Sequence, residues 1–153
     1  VRVYGRVSPE VHWKLFNQMD IALDTYPYNG CITTLETLWM GVPVVSLLGE
    51  AWVSRMGLSL LANVGLEKFV AHAPEQYVAK AMALCADLNS LNTLRLSMRQ
   101  RMLDSPLHDV KRFAGDIGDA FRKMWHAYCH EQADTGRAGE RISPQHAPGG
   151  VLR

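Results

Sequence analysis

Cysteine is scarce in this chain, and its placement excludes more than its number does. Cys31, Cys85 and Cys129 are odd in count and show no CxxC spacing, so neither a disulfide framework nor a zinc knuckle is indicated. Net charge is nearly absent as well. A formal charge of +1, with both signs scattered along the chain, leaves no basic stripe of the kind that nucleic acid requires. No apolar run reaches the roughly 18 residues that would suggest a membrane span. No charged-then-apolar leader opens the chain, so a cytoplasmic setting is the expectation. Nor does any period of about 34 residues mark a tetratricopeptide array. What is present suffices for a core: 153 residues, 48% of them hydrophobic, can form one compact domain.

The stretch from Asp20 to Gly49 organises the rest. Ile21 to Leu23 and Val42 to Leu48 are short apolar runs without alternation, the pattern of strands buried on both faces of a parallel sheet. Parallel strands need a crossover, and the segment from Thr33 to Met40 supplies a helix for it. This is a βαβ unit. Between the first strand and the helix, Pro27, Asn29 and Gly30 break regular structure, while Thr33 and Thr34 offer N-cap hydroxyls and free backbone N–H groups. Unpaired amides and the positive end of a helix dipole, facing out at the carboxyl end of the strands, favour a phosphate. Glu36 stands one helical turn after Thr33. It is placed either to reach a sugar hydroxyl or to close a capping box with Thr33.

Around this unit the chain reads as α/β. The opening V-R-V-Y-G has the character of a strand, and Ser8 caps a helix with Pro9 in its first position. That helix is predicted to end near Met19 and to turn Trp13, Leu15, Phe16 and Met19 toward the sheet. After the second strand a loop enters a helix containing Val53, Met56, Leu60 and Leu61, which stops at Gly65. Arg55 on this segment either pairs a phosphate or bridges to a carboxylate such as Glu50. Phe69 and Val70 suggest a final short strand, Pro74 starts a helix, and another runs from about Leu91 to Met102. Asp104-Ser105-Pro106-Leu107 breaks it. A last helix to about His130 carries Phe113, Ile117, Phe121, Met124, Trp125 and Tyr128 on one face. His126, Cys129 and His130 at its end read as favourable C-terminal residues of a helix, with no fourth ligand placed to make a metal site. From about Gln132 glycine, proline and charge dominate, the composition of a disordered tail.

D-I-A-L-D, Y-P-Y-N-G, T-T-L-E, L-W-M-G-V-P-V-V, S-R-M-G-L-S-L-L and D-S-P-L-H-D occur in that order. Together they closely resemble the C-terminal catalytic region of the SPINDLY-like and O-GlcNAc transferase proteins of glycosyltransferase family 41. The match runs from about Arg2 to about Tyr128. The resemblance implies a GT-B enzyme, two Rossmann-like domains with a sugar nucleotide bound mainly by the second. This chain corresponds to the later part of that second domain: residues 1–130 as a partial parallel-sheet domain with C-terminal helices, and 131–153 as a tail.

Residue by residue, the resemblance implies that His12 contacts the uridine, although a histidine at the boundary of an amphipathic helix has the same pattern. It further implies that Gly30, Cys31, Ile32, Thr33 and Thr34 hold the diphosphate, and that Glu36 bonds the ribose. Ser8 and Arg55 are further candidates. Two departures stand out. Glu10 and Val11 occupy the interval where the family often has a ribose-contacting lysine, and Ile32 replaces a hydroxyl residue of the phosphate turn. The implied reaction moves GlcNAc from UDP-GlcNAc to a Ser or Thr hydroxyl of a protein, with no metal or other cofactor. The family's lysine lies upstream of Val1 and its histidine in the first domain, so no catalytic residue is expected here and the isolated chain is expected to be inactive. Protein acceptors are expected to be brought by upstream repeats. A GDP-fucose user on the same scaffold is one alternative. Another is a non-catalytic fragment that self-associates through its opening strand and last helix.

Overall fold

The structure, a computed structural model, describes residues 2–134. Its sheet has three parallel strands in sequential order, β1 (Ala22–Leu23), β2 (Val44–Leu47) and β3 (Val70–Ala71). Ala22 faces Val44 and Leu23 faces Val45 across the first pair. Ser46 faces Val70 and Leu47 faces Ala71 across the second. Helix α2 (Ile32–Trp39) makes the first crossover and α3 (Met56–Asn63) the second. Strand β2 is central, and its Val44, Val45 and Ser46 are all buried, as a strand covered on both faces must be.

The core lies between this sheet and the helices α2, α3 and α5 (Leu88–Leu103). Leu38, Leu61, Val64, Leu66, Phe69, Val70, Met98 and Met102 pack around Val44 there. Helix α2 ends where Gly41 takes a φ of +80°, with the Arg95 carbonyl 3.2 Å from where a Cβ would stand. Only glycine combines that backbone with so close an approach. Helix α4 (Pro74–Ala86) starts on its proline. Helix α5 begins three residues earlier than its apolar pattern suggested, because the Asp87 carboxylate accepts the Ser90 N–H and caps it.

Two expectations fail at the amino end. Residues 2–5 form no strand, and Val3 is 90% exposed; an extended segment becomes a strand only beside a ladder partner, and none is present among the described residues. Residues 2–5 therefore add no strand to the sheet among the described residues. Helix α1 (Pro9–Leu15), capped by the Ser8 hydroxyl as expected, buries none of its own residues. It passes into a short 3₁₀ turn at Phe16–Gln18, where Phe16 is buried while Trp13 and Met19 remain partly exposed.

Helix α6 (Val110–Asp134) belongs to a second unit, residues 111 onward, and is described by itself. It runs four residues past His130. Phe113, Ile117, Phe121 and Trp125 recur at i, i+4 spacing, and an Arg112–Asp116 pair at 3.6 Å lies along it. The expected tail lies outside the described residues apart from the end of this helix. Among the described residues no helix is long and apolar enough to cross a membrane.

Candidate functional site at the end of the first strand

Asp24, the residue that follows β1, builds the turn. Its backbone N–H donates to the Val45 carbonyl at 2.9 Å, which holds it against β2. One carboxylate oxygen accepts the Gly30 N–H at 2.8 Å and the other accepts the Ser46 hydroxyl at 2.6 Å. Its carbonyl accepts the Tyr77 hydroxyl from α4 at 2.8 Å. Burial, with the neighbouring Asp24 charge, raises the Tyr77 pKa above the ordinary value of a tyrosine. The far side of the turn is fixed by Asn29, which is 2% exposed. Its amide donates to the Thr25 carbonyl at 2.8 Å and its side-chain oxygen accepts the Gly57 N–H of α3 at 3.2 Å. The Asn29 N–H donates to the Val53 carbonyl at 3.0 Å. Thus β1, β2, α3 and α4 all grip one six-residue turn, whose Tyr26–Pro27 bond is cis.

Because Asp24 takes the Gly30 amide, the helix begins sooner than expected. Cys31 is the N-cap residue, with no side-chain cap, and Ile32 is the first helical residue. Thr33 and Thr34 are therefore inside the helix and cap nothing. Their hydroxyls instead converge over Gly30: a Cβ built there would lie 2.8 Å from Thr33 Oγ1 and 2.7 Å from Thr34 Oγ1. The N–H groups of Cys31, Ile32, Thr33 and Thr34 have no partner among the described residues. Four open donors and two hydroxyls thus surround the start of α2, at the carboxyl end of the sheet. An adjoining cleft of about 180 Å³ is lined by Asp24, Thr25, Gly30, Thr33, Thr34 and Thr37. A larger cleft, about 690 Å³, lies at the other end of the strands beside Asp20 and Gly41, away from these donors.

The capping box does not form either. Glu36 turns away from the helix start, and its Oε2 accepts from His12 Nε2 at 3.1 Å. The imidazole stands edge-on to Phe16, ring centres 5.1 Å apart, and to Trp13 at 5.9 Å. Glu36 also lines a groove of about 310 Å³ with Trp13, Leu35, Trp39, Met102 and Leu107. The structure therefore brings the expected site residues together in two groups around α2: Gly30 to Thr34 at its start, and His12 with Glu36 one turn on. The Ser8 hydroxyl is engaged by the Val11 N–H at 3.5 Å. Arg55 is exposed and makes no ion pair with Glu50 or any other described residue. It sits between Val53 and Gly57, both of which contact Asn29.

Asp24, Ser46 and Tyr77 were not singled out from sequence, and Asn29 was read only as a residue that breaks regular structure. The available signal was local: an acidic residue directly after a buried strand, and an Asn-Gly pair ending the turn. Among the described residues no group of three or more His, Cys, Asp or Glu side chains could hold a metal ion.

Comparison with known proteins gives the family of the chain. Residues 3–117 match the family model described as glycosyl transferase family 41. A tomato protein named probable UDP-N-acetylglucosamine–peptide N-acetylglucosaminyltransferase SPINDLY is 42% identical over 134 residues, 88% of this chain and 14% of that one. The Caenorhabditis elegans UDP-N-acetylglucosamine–peptide N-acetylglucosaminyltransferase is 33% identical over 82% of this chain and 11% of its own. The structure of a K341M mutant of Thermobaculum terrenum O-GlcNAc transferase superposes with a TM-score of 0.76 at 38% identity, over 82% of this chain and 24% of that one. The chain spans a small part of the length of these relatives, and it belongs to glycosyltransferase family 41.

Proposed function

We propose that residues 1–130 are the nucleotide-sugar-binding part of a protein O-GlcNAc transferase. One observation carries this reading: four unpaired amides and two convergent hydroxyls at the start of α2, held by a turn that four elements brace. Such donors suit a diphosphate. In a glycosyl transfer the diphosphate leaves as the glycosidic bond breaks, and fixed donors aimed at the growing charge lower the barrier without reorganising. Thr33 and Thr34, with the amides from Cys31 onward, take that role. Gly30 contributes space, since its amide is already used. Glu36 receives ribose hydroxyls, and His12 meets the base. Arg55, exposed beside the turn, is the cation available to the phosphates or the transferred sugar.

The donor is UDP-GlcNAc, as the names of the relatives suggest, and the acceptor is a Ser or Thr hydroxyl of a protein. Groups outside these residues supply the catalytic base chemistry and the acceptor site, so the 153-residue chain alone binds nucleotide without transferring sugar. Titration with UDP, GDP and pyrophosphate tests the reading. Binding of UDP and pyrophosphate, with GDP weaker, supports it. Tighter GDP binding turns the assignment toward a GDP-fucose user, and binding of none of the three refutes it.

A further inference from the structure

Helix α1 is tied to the rest of the chain by little. None of its residues is buried, and among the described residues the His12–Glu36 bond is the one side-chain hydrogen bond that joins it to another element. The partner atoms define the chemistry. A carboxylate oxygen accepts only, so Nε2 must carry the proton that it donates to Glu36 Oε2. In the neutral ring this fixes the tautomer and leaves Nδ1, which has no partner among the described residues, as an open acceptor. The bond together with the edge-on Phe16 and Trp13 rings also fixes the plane of the imidazole. The second Glu36 oxygen has no partner among the described residues.

We infer that Glu36 is a positioning residue for His12 as well as a ligand contact. One carboxylate oxygen orients the imidazole, the other stays open to a nucleoside hydroxyl, and the two residues act on nucleoside recognition as one unit. This rests on the reading of His12 and Glu36 as nucleoside contacts given above. It adds that the contribution of His12 exists only while position 36 supplies an acceptor. A histidine oriented by a carboxylate through its other nitrogen is the arrangement by which protein sites set ring tautomer and direction.

The test measures UDP affinity for the parent chain and the His12→Ala change, each also in the Glu36→Ala and Glu36→Gln backgrounds. Pyrophosphate serves as a ligand without a nucleoside, and melting temperature checks folding. His12→Ala is expected to weaken UDP about tenfold in the parent, by a similar factor in the Glu36→Gln background, which retains an acceptor, and by less than about threefold with Glu36→Ala. Pyrophosphate affinity should not move. Nitrogen NMR of the His12 ring at mildly alkaline pH should show a protonated Nε2 and a bare Nδ1, with a tautomer mixture in Glu36→Ala. Losses that multiply independently, or a ring protonated at Nδ1 in the parent, overturn the inference while leaving nucleotide binding intact. Failure of UDP to bind while the ring shows the expected tautomer refutes the functional reading and the nucleoside role together, and leaves a structural link.

Discussion

Gly30→Ala separates a ligand-binding role of the turn from a merely structural one. The new methyl would stand 2.7 Å from Thr34 Oγ1, 2.8 Å from Thr33 Oγ1 and 3.4 Å from Asp24 Oδ1. The first two are closer than real Cβ contacts, yet both belong to side-chain ends that can rotate. Gly30 does not need a left-handed backbone, so alanine gains about 0.4 to 1 kcal/mol through the unfolded chain. Turning two threonines off their rotamers costs about 0.5 to 1.5 kcal/mol each. The net stability loss is therefore about 0 to 2.6 kcal/mol. Binding should suffer more, because the methyl fills the space where the two hydroxyls converge. A hydrogen bond to a charged group contributes about 1.5 to 3 kcal/mol, so losing one weakens UDP roughly ten- to hundredfold. Calorimetric titration of UDP beside a thermal melt reads both quantities. A folded Gly30→Ala chain with parental UDP affinity would refute the assignment of the turn.

Asn29→Ala should destabilise the chain by about 2 to 4 kcal/mol in urea unfolding, since it orphans the Thr25 carbonyl and the Gly57 N–H in a site where Asn29 is 2% exposed. A loss below about 1 kcal/mol would mean that the turn is held by other contacts. Ile32→Thr, at an exposed first helical position, should leave stability nearly unchanged and tighten UDP about fivefold by adding one hydroxyl donor; no gain would place residue 32 away from the phosphates. Tyr77 has a folded pKa above its unfolded one, so its contribution is complete below about pH 10 and is lost as pH rises through the higher folded value. Urea midpoints should therefore fall more steeply between about pH 9 and pH 11 in the parent than in Tyr77→Phe, and parallel curves would contradict the burial of that hydroxyl.

The βαβ unit was legible because its signals are local. Continuous apolar runs marked β1 and β2, and the turn chemistry of Pro27, Asn29 and Gly30 marked the break between strand and helix. What failed depended on partners distant in sequence. V-R-V-Y-G has strand composition, but a strand needs a ladder and residues 2–5 have none among the described residues. Thr33 and Glu36 have capping-box spacing, but Asp24 takes the Gly30 amide and His12 takes the Glu36 carboxylate. The first capture moves the helix start and the second removes the reciprocal cap. Spacing along one helix carries no information about a histidine 24 residues away. Asp24 itself reads as a strand flank, and only its contacts with Gly30, Ser46 and Tyr77 reveal it as the centre of the turn.

The most direct measurement is amide NMR of the 153-residue chain titrated with UDP and, separately, with uridine. If the start of α2 is the diphosphate site, UDP should shift the N–H signals of Cys31, Ile32, Thr33 and Thr34 downfield in a saturable manner with one common dissociation constant. Gly30, already bonded to Asp24, should move less, and uridine should leave the four amides nearly still while perturbing the His12 and Glu36 region. Saturable UDP shifts confined to any other part of the chain, or no shifts in these four amides at millimolar UDP, would contradict the assignment.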